Sequence, residues 1–280
     1  MNISHVIRDA SFLVNTPCQI LIYQALDLPI PKYLHYPRFH ISDKSRKIYL
    51  SELRRNGYCP ESIVSYTADL LFQLRPHHRK EGIPWIPKII SDFNVSLISK
   101  KLLQKMNDGH LANMNTIYLR KLLNINRLVQ LTQNYLREFE TKLYQQKTDE
   151  EWNQLLHRIL PLIRHRLTTL QDVKKYLKLQ QTTVHSYDIL NLTQIYSINE
   201  IKAAINAYKN KWPITKDDLH ATSKKMNISF RRFSQLLKII LLGSFVSLPI
   251  TLIIELLGKK EVHKRFSQAN QWIQKKEESK

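Results

Sequence analysis

Glycine is almost missing from this chain, at 5 of 280 residues. That scarcity argues against a glycine-turned β architecture and favours helices with short connections. It also accompanies the absence of any phosphate-binding glycine loop, dinucleotide fingerprint or G-x-S-x-G nucleophile turn. Cysteine is nearly as rare. Cys18 and Cys59 lie in no C-x-x-C or Cys/His pattern, so no disulfide framework is expected and a reducing compartment fits. His77-His78 and His110 lack ligand spacing and read as surface residues; no metal and no cofactor is expected. Acidic side chains are few, 23 against 43 basic ones, for a formal charge of +20. Such an excess repels itself and points to a polyanionic partner, nucleic acid or anionic membrane.

A membrane-spanning segment is also lacking. The one long apolar run, Ile239 to Leu257, is broken by Gly243, Ser244, Ser247, Pro249 and Thr251. A spanning helix needs about 20 predominantly apolar residues, and Pro249 divides the run into two short helical pieces. Two buried core helices are the reading, and no membrane partner is expected. The N-terminus carries no secretory pattern, because Ile3–Ile7 follows without a charged segment and an apolar stretch. No organelle-targeting peptide is visible either.

What is present is helical patterning. Residues 3–7 read as a short buried strand, followed by a helix over Cys18–Leu26 with Thr16 as its cap and Pro17 at its first position. Tyr33–Phe39 is a second extended segment, so the start resembles one crossover unit of a parallel sheet. After a basic loop at Ser42–Lys47 helices are expected throughout. Gly57-Tyr58-Cys59-Pro60 punctuates the first two, a His-containing loop spans Arg75–Pro87, and a helix is expected over Ser96–Met106. The 3.6-residue period is clear in Leu155, Leu156, Ile159, Leu162, Ile163 and Leu170. Asp217-Asp218 supplies negative charge at a helix start.

The motifs carry a resemblance. Residues 3–24, I-S-H-V-I-R-D-A-S-F-L-V-N-T-P-C-Q-I-L-I-Y-Q, are similar to T-H-V-I-R-G-E-D-H-L-x-N-T-x-x-Q-x-x-x-Y of bacterial and organellar glutamyl-tRNA synthetases. Residues 25–37 follow its A-L-G-x-x-x-P-x-F-x-H-x-P, and Gly57 to Glu61 its G-Y-L-P-E-A. Leu111 to Arg120, Leu156 to Leu170, and Leu256 through Phe266 resemble later segments, all in order. The resemblance implies a mainly α fold: a small Rossmann-like α/β remnant, then stem-contact and anticodon-binding-like helical domains. The divisions expected are 1–47 for the catalytic-domain remnant, 48–125 for the stem-contact region, 126–274 for the anticodon-binding-like domains and 275–280 for a charged tail. The chain would begin inside the second half of the catalytic domain.

The resemblance also bears on chemistry. The family's H-I-G-H signature, whose imidazoles stabilise charge on ATP, is not found. Arg8 holds the place of the family's arginine that approaches the substrate carboxylate, but G-E-D-H after it is replaced by Asp9, Ala10, Ser11 and Phe12. Without those companions Arg8 reads as a structural or RNA-contacting residue. The mobile K-M/L-S-K-S/R loop becomes Asp43-Lys44-Ser45-Arg46-Lys47, with its first lysine lost. From these losses the chain is expected to be no enzyme.

Basic residues cluster instead. RNA contacts are expected from Lys44, Arg46, Lys47, Arg54, Arg55, Lys100, Lys101, Arg164, Arg166, Lys174, Lys175, Lys224, Lys225, Arg231 and Arg232. One doublet alone is a solvated helix face, but phosphate binding grows with each phosphate neutralised. Residues 201–280 alone hold 16 basic and 6 acidic side chains. The expectation is a non-catalytic RNA-binding protein of an organellar, mitochondrial ribosome, contacting rRNA and neighbouring ribosomal proteins. The alternative is the C-terminal part of a split or divergent organellar glutamyl-tRNA synthetase, with tRNA and a synthetase partner, attaching glutamate with ATP.

Overall fold

The computed structural model describes residues 3–41, 49–94, 98, 103–181, 195–243 and 247–278. It is mainly helical with three two-stranded sheets among the described residues. Two compact units are present: residues 1–160 with 164–171, and residues 161–163 with 172–280.

The first unit opens with the expected crossover. Strands β1 (His5–Asp9) and β2 (Lys32–Tyr36) pair in parallel, His5 opposite Lys32 and Asp9 opposite Tyr36, joined by helix α1 (Thr16–Ala25). Parallel strands cannot be joined by a tight turn, which is why the helix intervenes. The cap differs from expectation. Asn15 precedes the helix and makes no side-chain cap, while Thr16 lies in the first turn and donates to the Phe12 carbonyl at 3.0 Å. Thr16 is engaged with Arg8 instead. Strand β3 (Arg38–Ile41) pairs in parallel with β4 (Leu103–Met106). The helix expected over Ser96–Met106 is therefore wrong at its end. Leu-Lys patterns over four residues fit either state, and the ladder to β3 decides.

Helices α2 (Leu50–Arg55) and α3 (Pro60–Leu71) flank Gly57. Gly57 has φ +79°, its carbonyl accepts the Leu170 amide at 2.8 Å, and a Cβ there would lie 2.7 Å from the Gln171 nitrogen. Only glycine meets both demands. A hairpin of Arg79–Lys80 with Ile83–Pro84 leads to α4 (Ile86–Ser91). Helix α5 (Asp108–Ile117) runs into a π turn at Tyr118–Leu122, followed by α6 (Ile125–Phe139), α7 (Thr141–Tyr144) and α8 (Asp149–Ile163). Fully buried Asn115 ties these pieces together. Its Oδ1 accepts the Cys59 amide and the Ser62 hydroxyl, both at 2.9 Å, and its Nδ2 donates to the Thr168 carbonyl at 2.6 Å. Burial pushes the neighbouring Cys59 thiol up to about 11, so it is an inert packing group.

Among the described residues the regular structure of the second unit is helical: α9 (Val173–Gln181), α10 (Ile198–Tyr208), α11 (Lys216–Lys225), α12 (Phe230–Leu242) and α13 (Ile250–Glu278), the last interrupted at Gly258, φ +74°. Reciprocal caps start α10 (Ser197 with Glu200) and α11 (Thr215 with Asp218). The Lys211 hydrogen bond, then those from Thr215, hold the Asp218 carboxyl at about 2. The long apolar run is split as expected, with one refinement. Gly243, in a left-handed conformation, ends α12, and α13 starts after Pro249. Leu241, Ile253, Ile254 and Leu257 from this run are buried in the core. Among the described residues no helix is long and apolar enough to cross a membrane.

Arg265 is the largest charged group in that core, 1% exposed. It donates to Glu261 at 2.8 Å, to the Leu241 carbonyl at 2.7 Å and to the Leu179 carbonyl at 3.0 Å. Both carbonyls belong to last turns, where the helix leaves acceptors without intrahelical donors. Replacing Arg265 by Met should lower the unfolding free energy of this unit by about 3 kcal/mol, read by urea titration of tryptophan fluorescence. Gly57→Ala should lower Tm of the first unit, checked by calorimetry; an unchanged Tm contradicts the close approach to Gln171.

Candidate functional site

Two places gather chemically able side chains. The first is at the carboxyl end of β1. Arg8 Nη2 donates to Thr16 Oγ1 at 2.8 Å and Nε donates to His35 Nε2 at 3.3 Å. The guanidinium carbon lies 5.1 Å from the Tyr33 ring centre and 5.5 Å from that of Phe12, within cation–π range. The Asp9 carboxylate accepts the Ser11 amide at 2.7 Å, capping a short 3-10 turn. Arg8 thus has companions that differ from the expected ones: Thr16, Tyr33, His35 and Phe12. The topology explains this, since α1 and the parallel register set residue 16 and residue 35 beside residue 8. Burial first, then the Arg8 charge, lowers the His35 pKa, keeping its imidazole neutral.

The second is a cleft of about 500 Å³ in the second unit, lined by Lys216, Phe230, Arg231, Ser234, Gln235, Lys238, Pro249, Ile250 and Thr251. Arg231, Ser234, Gln235 and Lys238 recur at i, i+3, i+4 and i+7, one polar stripe on a helix whose Phe233, Leu236, Leu237 and Ile240 are buried. None of Lys216, Arg231 and Lys238 has an ion pair among the described residues, and burial lowers the Lys238 pKa. The Ser234 hydroxyl is buried with no hydrogen-bond partner among the described residues. The Pro249 carbonyl accepts the Ile253 amide at 3.2 Å, so Pro249 is the cap residue of α13, and it has no side-chain acceptor to offer. The first-turn amides of Ile250 and Thr251 are therefore available to an anion. Phe230 stacks on His220 with ring centres 3.8 Å apart, a platform of the kind on which a base stacks. Three cations, helix amides and an aromatic in one concavity suit a phosphate chain with unstacked bases.

The doublets picked from sequence fare differently. Lys44, Arg46, Lys47, Lys100 and Lys101 lie outside the described residues. Arg55, Arg166, Lys224 and Lys225 are exposed. Arg54 pairs with Glu138 at 2.5 Å and Lys175 with Asp172 at 2.9 Å, while Lys174 is half-buried. Arg164 donates to the carbonyls of Leu119 and Leu123, closing the end of a helical segment, and burial lowers its pKa. Arg231 and Arg232 part company: Arg231 lines the cleft, while Arg232 faces Glu200 at 3.5 Å, donates to the Ile195 carbonyl and lies over the Tyr196 ring. Lys216, Lys238 and Phe230 were not among the sequence candidates. Counting adjacent charges misses them, whereas the i, i+7 spacing of Arg231 and Lys238 would have found the stripe.

The histidine doublet needs a correction. His78 is buried, 2% exposed, not at the surface, because its Nδ1 accepts the Arg75 amide at 3.0 Å. Its Nε2 lies 3.6 Å and that of His77 3.7 Å from Asp92 Oδ2. These three could approach a metal ion, but with Nδ1 accepting, neutral His78 carries its proton on Nε2. That tautomer faces the carboxylate as a donor and offers no lone pair to a metal.

Residues 127–270 match the family described as "Anticodon binding domain", half of the chain, and residues 1–105 match "tRNA synthetases class I (E and Q), catalytic domain". The chain belongs to the glutamyl-tRNA synthetase family. It is 26% identical to a glutamate–tRNA ligase of Moorella thermoacetica, covering 98% of this chain and 57% of that one. It is 27% identical to one of Sulfurihydrogenibium sp., covering 94% and 55%. The fold is similar to the crystal structure of a glutamate tRNA ligase from Elizabethkingia meningosepticum in complex with its amino acid, with TM-score 0.68, 19% identity and coverage of 96% and 57%. The chain thus spans a little over half the length of these relatives. These matches overturn the expectation that the chain is no enzyme: the catalytic-domain family extends over its first 105 residues, and the curated relatives are ligases. The substituted G-E-D-H positions do not decide the matter, because the two residues that hold the Arg8 guanidinium, Thr16 and His35, stand at positions where the resemblance is kept.

Lys238→Ala or Arg231→Ala should weaken RNA binding similarly across sequences and reduce the slope of log K against log salt by about one each. Arg232→Ala should instead lower thermal stability with little change in that slope. Filter binding between 50 and 300 mM salt (about that range, where counterion release is measurable) separates the two.

Proposed function

We propose that this chain serves as the C-terminal part of a glutamate–tRNA ligase, holding tRNA through its helical domains while glutamate is activated and transferred in the catalytic domain. The ordered match of a synthetase catalytic family to residues 1–105 and of an anticodon-binding family to residues 127–270 carries the reading. The four expected segments at 1–47, 48–125, 126–274 and 275–280 are part of this proposal, as is a contribution from the exposed Arg55, Arg166, Lys224 and Lys225. The +20 charge has tRNA as its polyanion. Neither family match gives support to rRNA or to ribosomal proteins as partners.

In this reading the cleft acts on the anticodon arm. Lys216, Arg231 and Lys238 neutralise phosphates, the α13 amides donate to one at the positive helix end, and Phe230 receives a splayed base. At the other site Arg8 presents a planar fork suited to a carboxylate, so orientation rather than proton transfer is its contribution.

The chain should bind a glutamate-acceptor tRNA transcript, and changing its anticodon should weaken binding about tenfold, or about 1.4 kcal/mol. Gel-shift titration reads this, with an rRNA fragment of equal length as competitor. Equal affinity for both RNAs would return the ribosomal reading to consideration and remove this one.

A further inference from the structure

We propose that His35 is a positioning residue for Arg8, holding the guanidinium so that its unused N–H edge meets a carboxylate of the amino-acid substrate. This rests on the ligase reading above and names a residue that sets how its amino acid is held.

An arginine has five N–H donors in a rigid plane. Nε is taken by His35 Nε2 and one Nη2 hydrogen by Thr16 Oγ1. Both Nη1 hydrogens and one on Nη2 remain, and one from each nitrogen lies along the terminal edge that grips a carboxylate with two parallel hydrogen bonds. No carboxylate pairs with Arg8 among the described residues, and Asp9, its neighbour, is engaged by the Ser11 amide. Phe12 and Tyr33 restrict the plane from ring distances of 5.5 and 5.1 Å. The Tyr33 ring in turn stacks on His35, at 8° between planes. Rotation about the last side-chain bonds of Arg8 is thereby opposed by two acceptors along one edge, His35 Nε2 and Thr16 Oγ1 only 3.0 Å apart, and by the neighbouring aromatic rings. A fork fixed before the substrate arrives loses less entropy on binding than one ordered by it.

The arrangement needs a neutral imidazole. His35 Nε2 accepts from Arg8, so its proton sits on Nδ1; Thr16 Oγ1 lies 3.0 Å from the same Nε2. The charged groups facing His35 are Arg8 and Asp9, both on β1; Tyr33 is its titratable neighbour on β2, and α1 contributes uncharged Thr16. Burial and Arg8 favour the neutral form and Asp9 opposes it, with a lowered pKa as the net result. Protonation removes the acceptor and sets two cations side by side. The folded pKa lies below the unfolded value near 6.5, so the stability contribution is complete above about pH 6.5 and fades as pH falls through the folded pKa.

Nitrogen-15 NMR on the full chain tests this. The Arg8 Nε–H resonance, identified by its loss in Arg8→Lys, should exchange slowly at pH 7.5, shift on titration with L-glutamate, and broaden as His35 is protonated on lowering the pH. In His35→Leu the slow exchange should vanish and the half-saturating glutamate concentration should rise about tenfold. His35→Gln, which keeps a neutral acceptor, should restore both. An Nε–H equally protected in His35→Leu overturns the positioning role. A wild-type resonance that L-glutamate moves no more than sodium chloride of equal ionic strength overturns the carboxylate. Neither readout involves tRNA, so failure here and failure of anticodon-dependent binding are told apart.

Discussion

The second unit depends on one buried cation. Arg265 sits in a core of leucines, isoleucines and phenylalanines, where an unpaired guanidinium would be costly. It is tolerated because its donors meet Glu261 and the otherwise unpaired carbonyls at the ends of α9 and α12. A polar group that must be satisfied permits fewer arrangements than an apolar surface, so three helices are held in one mutual placement. That placement brings the start of α13 beside the polar stripe of α12 and forms the cleft.

The same economy of polar groups operates around Arg8. Four positions that would have supplied its neighbours have changed, yet the guanidinium is neither loose nor paired with an internal carboxylate. Thr16 of the crossover helix and His35 of the adjacent strand, both at matched motif positions, hold it. Substitution of those four positions therefore leaves the guanidinium held, because one of the residues that hold it, His35, lies opposite it across a parallel ladder. The excess charge divides in a similar way. Some cations are consumed by carboxylates and helix ends, as with Arg54, Arg164 and Arg232, while Lys216, Arg231 and Lys238 converge without counterions among the described residues.

Much of the fold was legible. Gly57 and Pro60 marked a helix boundary, Asp217 and Asp218 the acidic start of a helix, and the interruptions between Ile239 and Leu257 two core helices. Those features are local: φ freedom, a missing amide, a side chain reaching three residues on. Leu103–Met106 was misread because its state is set by β3, more than 60 residues away. His78 was misplaced because a doublet says nothing of which member turns inward to the Arg75 amide. The stripe on α12 was present in the spacing but hidden by attention to adjacent charges.

From the sequence by itself came the helical class, the polyanion-seeking charge and, through six ordered motifs, the family. These rest on periodicity, composition and local geometry, which a linear chain expresses directly. Whether Arg8 keeps a working environment, which arginine of the pair at 231 and 232 stays available, and where cations gather were decided only by tertiary structure. Such properties depend on distances between residues far apart in the chain, and on which donors find acceptors once the helices have packed.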